Sequence, residues 1–314
     1  MFLRQIGAAG LFFSVAACAG SPGQAYLGSN QDTGIAKSQV ASYLLAADSS
    51  RAASRFSEAV QIYEQVLITD PKSVAAQFGI AECLLGLGKA ADARPLFEAL
   101  VQDKTVHATA LQGKGLSHLA MNERESAGNS LHEAIEADPS LWRAWNGLGL
   151  LADVKREWHE AEDAYGHALA INANSAALHN NLGYSRLLAG QPDEAIGEFR
   201  KALGLDPDSE TVQNNFRLAL AAKGNYAEAT RGVSKAMMPV ALNNVGVIAM
   251  QRGDFRVAEG FLARAMESSP SFLTVASHNI DQLKAMENDG GIIDTTVQNR
   301  AVSATKLATP GAVQ

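Results

Sequence analysis

Residues 176–209 carry the apolar pattern of two short amphipathic helices joined by a turn. The apolar positions recur at three- and four-residue spacing, which places them on one face of each helix. They are Leu182, Leu187, Leu188, Ala195, Ile196, Phe199, Ala202 and Leu203. Gly190 can end the first helix and Pro192 can begin the second, and Pro207 stops the second. Gly183 is predicted to face Ala195. Because one hairpin leaves an apolar face uncovered, we expect neighbouring copies of it.

The copies are marked by an alanine that recurs every 34 residues without drift. These alanines are Ala59, Ala93, Ala127, Ala161, Ala195 and Ala229. A bulky apolar residue follows each alanine by four positions, namely Tyr63, Phe97, Leu131, Tyr165, Phe199 and Val233. A small residue precedes the alanine by twelve positions in five of the six cases, the exception being Arg217.

A period of 34 with this order of small residue, alanine, aromatic residue and proline resembles the tetratricopeptide repeat. The resemblance implies an all-α, right-handed superhelical solenoid of about seven helix-turn-helix repeats with a C-terminal capping helix. The expected domain covers residues 40–287. Its units are 40–73, 74–107, 108–141, 142–175, 176–209, a shortened 210–238 and 239–272, and a cap over 271–286 follows. Position one of a repeat is the first residue of its unit.

The sixth unit is the least regular one. Ala229 and Ala258 are 29 residues apart, five fewer than the period, and the shortfall is predicted at the end of the second helix around Lys235–Val240. Arg217 replaces the usual small residue in the same unit. We therefore expect a local change of superhelical twist there.

The chain begins with features of an exported lipoprotein. Residues 1–17 combine one charge, Arg4, with a short apolar run, which predicts a signal peptide. Val15-Ala16-Ala17-Cys18 resembles the bacterial lipobox, which implies acylation of Cys18, including palmitate; ordinary cleavage near Ala17 is the alternative. Ala19 in place of aspartate implies an outer-membrane lipoprotein facing the periplasm. Residues 18–39 are predicted to be the lipidated terminus and a flexible tether, and residues 288–314 a disordered tail.

The negative net charge of the chain argues against two classes of binding partner. The net charge is −7 and becomes −8 once Arg4 is removed with the signal. An acidic chain is a poor ligand for nucleic acid or an anionic lipid surface, so membrane contact is expected through the lipid anchor only. Cys83, the second of two cysteines, is predicted to be a small buried residue.

No motif predicts catalysis, a metal or another cofactor. Gly113-Lys-Gly115 and similar fragments lack the third glycine, the preceding strand and the following lysine of a phosphate loop. His159 and His167 are eight residues apart without the spacing of a zinc protease. A solvated helix face explains them better, and the chain is predicted not to be an enzyme.

Asparagines at position five of the first helices suggest a partner-binding groove. In tetratricopeptide arrays, positions 2, 5, 9, 12 and 13 line the concave surface. The predicted lining is Asn146, Leu150, Asn180, Tyr184, Leu187, Asn214, Leu218, Asn243, Val247 and Met250. A carboxamide both donates and accepts hydrogen bonds, so such a ladder can hold the backbone of a bound segment. A hydrated groove with incidental asparagines is the alternative, and Asn181, Asn215 and Asn244 at position six can be structural.

The layout as a whole resembles the TadD lipoproteins of the Tad (tight adherence, Flp) pilus assembly machinery. The resemblance rests on Cys18, the tether, the Asn-Asn-Leu-Gly and Asn-Asn-Val-Gly helices (180–183 and 243–246) and the turn at 249–255. It implies a periplasmic scaffold that assists secretin and pilus assembly. The alternatives are a general envelope adaptor for peptidoglycan hydrolases or outer-membrane protein assembly, and the pilotin of a type IV pilus.

Overall fold

A computed structural model describes residues 35–269 and 273–288 of the chain. This part of the chain is helical throughout and consists of consecutive helix-turn-helix repeats, as the sequence predicts. The helices are α1 (Val40–Ala52), α2 (Phe56–Thr69), α3 (Val74–Gly86), α4 (Ala90–Leu100), α5 (His107–Ala120), α6 (Arg124–Ala137), α7 (Trp142–Lys155), α8 (Trp158–Ile171), α9 (Ala176–Leu188), α10 (Pro192–Leu205), α11 (Glu210–Lys223), α12 (Tyr226–Ala229), α13 (Met238–Arg252), α14 (Phe255–Ser268) and α15 (Leu273–Asn288). The predicted signal peptide, Cys18, most of the tether and the tail after residue 288 lie outside the described residues.

The described residues form two compact units that divide next to Leu151, within α7. The N-terminal unit comprises residues 35–151, and the C-terminal unit comprises residues 152–269 and 273–288. Each unit has buried apolar clusters of its own, built from the recurring alanines and the bulky residues four positions later.

In the N-terminal unit, glycines at position six make room for the bulky side chain of the preceding repeat. A Cβ added to Gly79 would lie 2.2 Å from the Tyr63 ring, and one added to Gly113 would lie 2.3 Å from the Phe97 ring. Both rings are buried, with Tyr63 1% and Phe97 0% exposed. Two of the repeat junctions in this unit are therefore fixed by rings that lie directly against helix backbone, and at Gly147 the side chain of Leu131 takes the place of the ring.

A glycine at position eight accepts the bulky residue of its own repeat in both units, as Gly115 does with Leu131 in the N-terminal one. A Cβ on Gly183 would lie 2.8 Å from the Phe199 ring, and one on Gly246 would lie 2.7 Å from Leu262. The Phe199 ring, on the same helix as Ala195, fills the space that Gly183 leaves. Ala195 is also fully buried.

The turn between α9 and α10 follows the sequence prediction. Gly190 has φ +83°, a conformation that favours glycine, and Pro192 occupies the first turn of α10. The helix ends at Leu205, before Asp206 and Pro207.

The irregular sixth repeat loses more of its second helix than the sequence predicts. The helix α12 contains only four residues, and turns occupy residues 230–237 before α13 begins at Met238. The shortfall falls on the end of the second helix, as predicted, but it begins earlier than the predicted range Lys235–Val240. The helix stops by Thr230, with Gly232 at φ +71° shortly after it, and Met238–Val240 already belong to α13.

The cap α15 packs against α14 and α13 at the end of the C-terminal unit. Ala276, Asn279 and Leu283 are at most 1% exposed, so the predicted capping helix is confirmed. Val275 of the same helix is 41% exposed. Ala276 and Leu283, seven residues apart, already cover the contact, and Val275 lies outside that stripe.

Candidate partner-binding surface

The predicted lining residues of the N-terminal unit are Asn146 and Leu150, one turn apart on α7 and half-buried. Arg143 precedes them on the same helix and forms a 2.6 Å ion pair with Glu82 of α3, a residue 61 positions earlier. The pair joins two helices whose repeats are not consecutive. Glu82 is largely buried, since its side chain is 9% exposed, so Arg143 neutralises a carboxylate that has little access to water.

Five of the predicted lining residues are half-buried on first helices of the C-terminal unit. These are Asn180 and Tyr184 on α9, Asn214 and Leu218 on α11, and Val247 on α13. Because α11 contacts both α9 and α13, the structure brings these side chains onto three neighbouring helices. They combine amide groups with apolar surface, a chemistry that suits a protein segment.

Three other predicted lining residues are buried and offer no surface to a partner. Leu187 is fully buried among the apolar residues of α9, α10 and α11, and Met250 is 6% exposed beside Ala249 and Leu283. Asn243 is 5% exposed, and its Oδ1 accepts a 2.9 Å hydrogen bond from Nδ2 of Asn279 in the cap. Their assignment to the groove is therefore corrected.

A second carboxamide bond links α9 to α11. Asn215 Nδ2 donates to Asn180 Oδ1 at 2.9 Å, and Asn180 Nδ2 donates to Asn181 Oδ1 at 3.4 Å. The carbonyl oxygen of Asn180 is thus engaged between repeats. Asn214 differs, because its Oδ1 accepts a 3.2 Å bond from Arg217, a residue of the same helix. Since that bond does not tie two repeats together, Asn214 is the better candidate for partner contact.

A largely buried carboxyl at position twelve of α7 was missed by the sequence prediction. Asp153 accepts hydrogen bonds from Tyr165 Oη at 2.8 Å and from Ser185 Oγ at 2.5 Å. Burial raises the pKa of Asp153 to about 6, although these two hydroxyl bonds lower it. Burial and the nearby Asp153 charge raise the pKa of Tyr184 to about 12. The available sequence signal was an aspartate at a groove position with a tyrosine twelve residues later.

A second buried carboxylate, Glu198 on α10, is surrounded by basic groups. It accepts bonds from His179 Nδ1 at 2.7 Å, Arg186 Nη1 at 2.9 Å and Lys201 Nζ at 2.9 Å. Burial alone raises the pKa of Glu198, but hydrogen bonds from Lys201 and His179 outweigh it and hold the pKa below its ordinary value. This arrangement links α9 to α10 and is structural.

A shallow cleft of about 250 Å³ lies beside this network, lined among others by Trp158, His159, Glu162 and Arg186. Arg186 Nη2 contacts Glu162 at 2.7 Å, so its charge is already matched. His159, whose side chain is 86% exposed, pairs with Asp163 at 3.0 Å on the solvent side of α8. Among the described residues, no group of three histidine, cysteine or acidic side chains is placed to hold a metal ion.

Two further sequence features can be located. Cys83 is fully buried, as predicted, and burial raises the pKa of its thiol to about 11. Within residues 35–269 and 273–288, no helix combines the length and apolar character needed to cross a membrane.

Comparison with known proteins identifies the repeat. Profiles of the tetratricopeptide repeat match residues 50–114, 113–176 and 176–209. The peroxisomal targeting signal receptor of Kluyveromyces lactis is 30% identical over 101 residues, which is 32% of this chain and 18% of the receptor. The human protein O-mannosyl-transferase TMTC1 is 22% identical over 52% of this chain and 19% of its own length. The chain thus spans about a fifth of each of these relatives.

Two solved structures share the fold. The tetratricopeptide protein TTC0263 of Thermus thermophilus superposes with a TM-score of 0.52 at 21% identity, over 58% of this chain and 98% of that one. A chain of the APC/C hetero-tetramer Cut9–Hcn1 gives a TM-score of 0.53 at 18% identity, over 75% of this chain and 48% of that one. At these identities the likeness concerns the fold alone.

Proposed function

Because the chain belongs to the tetratricopeptide-repeat family, a family of protein-binding scaffolds that are typically not catalytic, we propose that it holds a segment of a partner protein on the first helices of its C-terminal unit. The observation that carries the proposal is the row of half-buried side chains on α9, α11 and α13. In that row Asn214, Leu218 and Val247 are the residues assigned to direct contact.

The chemistry of this row favours an extended or helical peptide segment. Leu218 and Val247 supply apolar surface on adjacent helices, and Tyr184 adds an aromatic ring on α9. Asn214 contributes a carboxamide that can bond the backbone of the segment without selecting its side chains. Asn180 and Asn243 hold neighbouring helices together, because their side-chain carbonyl oxygens accept hydrogen bonds from Asn215 and Asn279.

We further propose that this scaffold acts at the periplasmic face of the outer membrane, anchored through lipidated Cys18, in assembly of a Tad-type pilus and its secretin. The lipobox-like Val15–Cys18 and the asparagine-rich helices at 180–183 and 243–246 support this proposal. A general envelope adaptor, for hydrolases or for outer-membrane protein assembly, and a type IV pilotin are the competing assignments.

The test places a photo-crosslinking amino acid at Leu218 of the full chain and, as a matched control, at Leu205. Leu205 is 44% exposed on the second helix α10 and lies outside the proposed surface. Crosslinking in intact cells, followed by identification of the adducts, is expected to capture a secretin or another pilus-assembly protein from Leu218 and not from Leu205.

A contact variant then separates binding from folding. Asn214→Ala combined with Leu218→Ser is expected to reduce capture at least about tenfold, corresponding to the loss of about 1.4 kcal/mol of binding free energy, with the helical circular-dichroism signal unchanged. Equal adducts from Leu218 and Leu205 would refute the surface. Specific adducts with hydrolases or outer-membrane assembly proteins would keep the surface and refute the pilus assignment.

A further inference from the structure

The first helices that follow another repeat use positions three, six and ten to pack against that repeat, as α3 shows. In α3 these are Ala76, Gly79 and Cys83. Ala76 and Cys83 lie in one buried cluster with Tyr63 and Val66 of the preceding second helix, and Gly79 lies directly against the Tyr63 ring. This face of a first helix therefore needs a preceding segment to cover it.

The same face of α1 is exposed. Its residues are Ser42, Leu45 and Ser49, and Leu45 is 71% exposed. Serine also occupies position ten of α5 and α9, where Ser117 and Ser185 are at most 3% exposed. Helix α1 therefore exposes residue types that are buried at the same positions of later repeats. It does not have the charged outer face of a terminal capping helix.

The chain enters α1 at the place where a preceding repeat would end. Ile35 packs against the cluster around Tyr63 and Val66, and its carbonyl oxygen accepts a 2.7 Å bond from Thr69 Oγ1. Ile35 and Thr69 are 34 positions apart, one full repeat, so Ile35 has the register of the last residue of a second helix. In the same register Ala25 corresponds to Ala59, and residues 22–34 correspond to the body of that helix.

We propose that residues 22–34 cover the exposed face of α1, with Tyr26 and Leu27 against Leu45. Reach permits it: the eight residues from Leu27 to Ile35 can span about 26 Å, whereas Leu45 is only about 7.5 Å along the helix from Val40. Gly23, Gly28 and Gly34 allow this segment to approach a helix closely. The proposal is independent of the partner-binding surface.

Leu45 also argues against a second copy of the chain as the occupant. The equivalent position is glycine in the next three first helices, at Gly79, Gly113 and Gly147, where the bulky residue of the preceding repeat fills the space. A leucine in that place leaves no room for the close contact that Tyr63 and Phe97 make with Gly79 and Gly113, so a second copy could not cover α1 through that contact. A slender segment rich in small residues suits the face better.

The test is disulfide formation in the full chain carrying Cys18→Ser, with Leu27→Cys and Leu45→Cys added. Copper phenanthroline serves as the oxidant, and non-reducing electrophoresis with peptide mapping identifies the bond. The native thiol of Cys83 does not compete, because it is fully buried. The matched control pairs Leu27→Cys with Val275→Cys, an exposed residue of α15 at the other end of the described chain.

An intramolecular bond between positions 27 and 45 is expected to form at least about tenfold faster than the control bond, because docking raises the effective concentration of the two thiols. Equal rates for the two pairs would overturn the proposal. Disulfide-linked dimers of the Leu45→Cys single variant, formed in preference to the intramolecular bond, would also overturn it and would assign the face to a second copy.

Discussion

Gly113 offers a strict test of how the repeats are joined. An alanine at this position would place its Cβ 2.3 Å from Cε1 of Phe97, a ring that is 0% exposed and has no room to move. Overpacking of this kind costs about 1–3 kcal/mol, while the better helix propensity of alanine offsets about 1 kcal/mol. Since the contact is far inside normal separation and the ring is buried, we expect Gly113→Ala to be destabilising by about 1–2 kcal/mol.

Gly128 provides the matched control in the same unit. It also lies inside a helix, α6, but the nearest atom to an added Cβ is Leu151 Cδ1 at 3.8 Å, an ordinary contact. Gly128→Ala therefore changes helix propensity alone and should stabilise by up to about 1 kcal/mol. The difference between the two variants isolates the packing effect.

Urea unfolding followed by circular dichroism and by tryptophan fluorescence measures both variants, with the two probes compared because a repeat array need not unfold in one step. Phe97→Leu in the Gly113→Ala background should restore part of the loss by removing the clash. If Gly113→Ala is as stable as Gly128→Ala, the ring does not fix the junction and the argument from close packing is wrong.

Three further predictions concern buried polar groups. The pKa of Asp153 is raised to about 6 in the folded chain, so its stabilising contribution is full below its unfolded pKa of about 3.9 and is lost as the pH rises through 6. Stability of the wild type relative to Asp153→Asn should therefore fall between pH 4 and 7 in urea titrations, and a difference independent of pH would contradict this. Asn279→Ala leaves the buried Asn243 Oδ1 without its donor, so we expect a loss of about 1–3 kcal/mol and faster amide exchange in α15; unchanged exchange would exclude the role. Cys83, with a buried thiol whose pKa is about 11, should react with a disulfide reagent only after denaturation, and rapid native reaction would contradict its burial.

Periodicity was sufficient to predict the repeats, because the same contact recurs in each of them. The spacing of Ala195 and Phe199 identifies the core of a repeat wherever it occurs in the chain, and Gly190 and Pro192 mark its turn. Where the period breaks, the neighbouring repeats no longer indicate where a helix ends. The spacing of Ala229 and Ala258 indicates that five residues are missing, but it does not predict that α12 contains only one turn.

The candidate surface was harder to predict because position within a helix does not determine exposure. Leu187, Met250 and Asn243 occupy groove positions by register, yet packing against α10, α14 and α15 buries them. Asp153 was overlooked for a related reason. Its role depends on hydrogen bonds from Tyr165 and Ser185, which lie on other helices. The sequence around Asp153 does not predict these contacts.

Position six indicates why the two units differ. In α3, α5 and α7 it is glycine, and a bulky side chain of the preceding repeat lies against the backbone there. In α9, α11 and α13 it is asparagine, and at this position Asn215 joins its repeat to the preceding one by the bond to Asn180. A buried ring contributes more than one amide bond, but it admits one geometry only. A carboxamide can exchange its partner for a backbone group of another chain at little net change in free energy. The proposed partner-binding surface therefore lies on the helices that carry asparagine at this position.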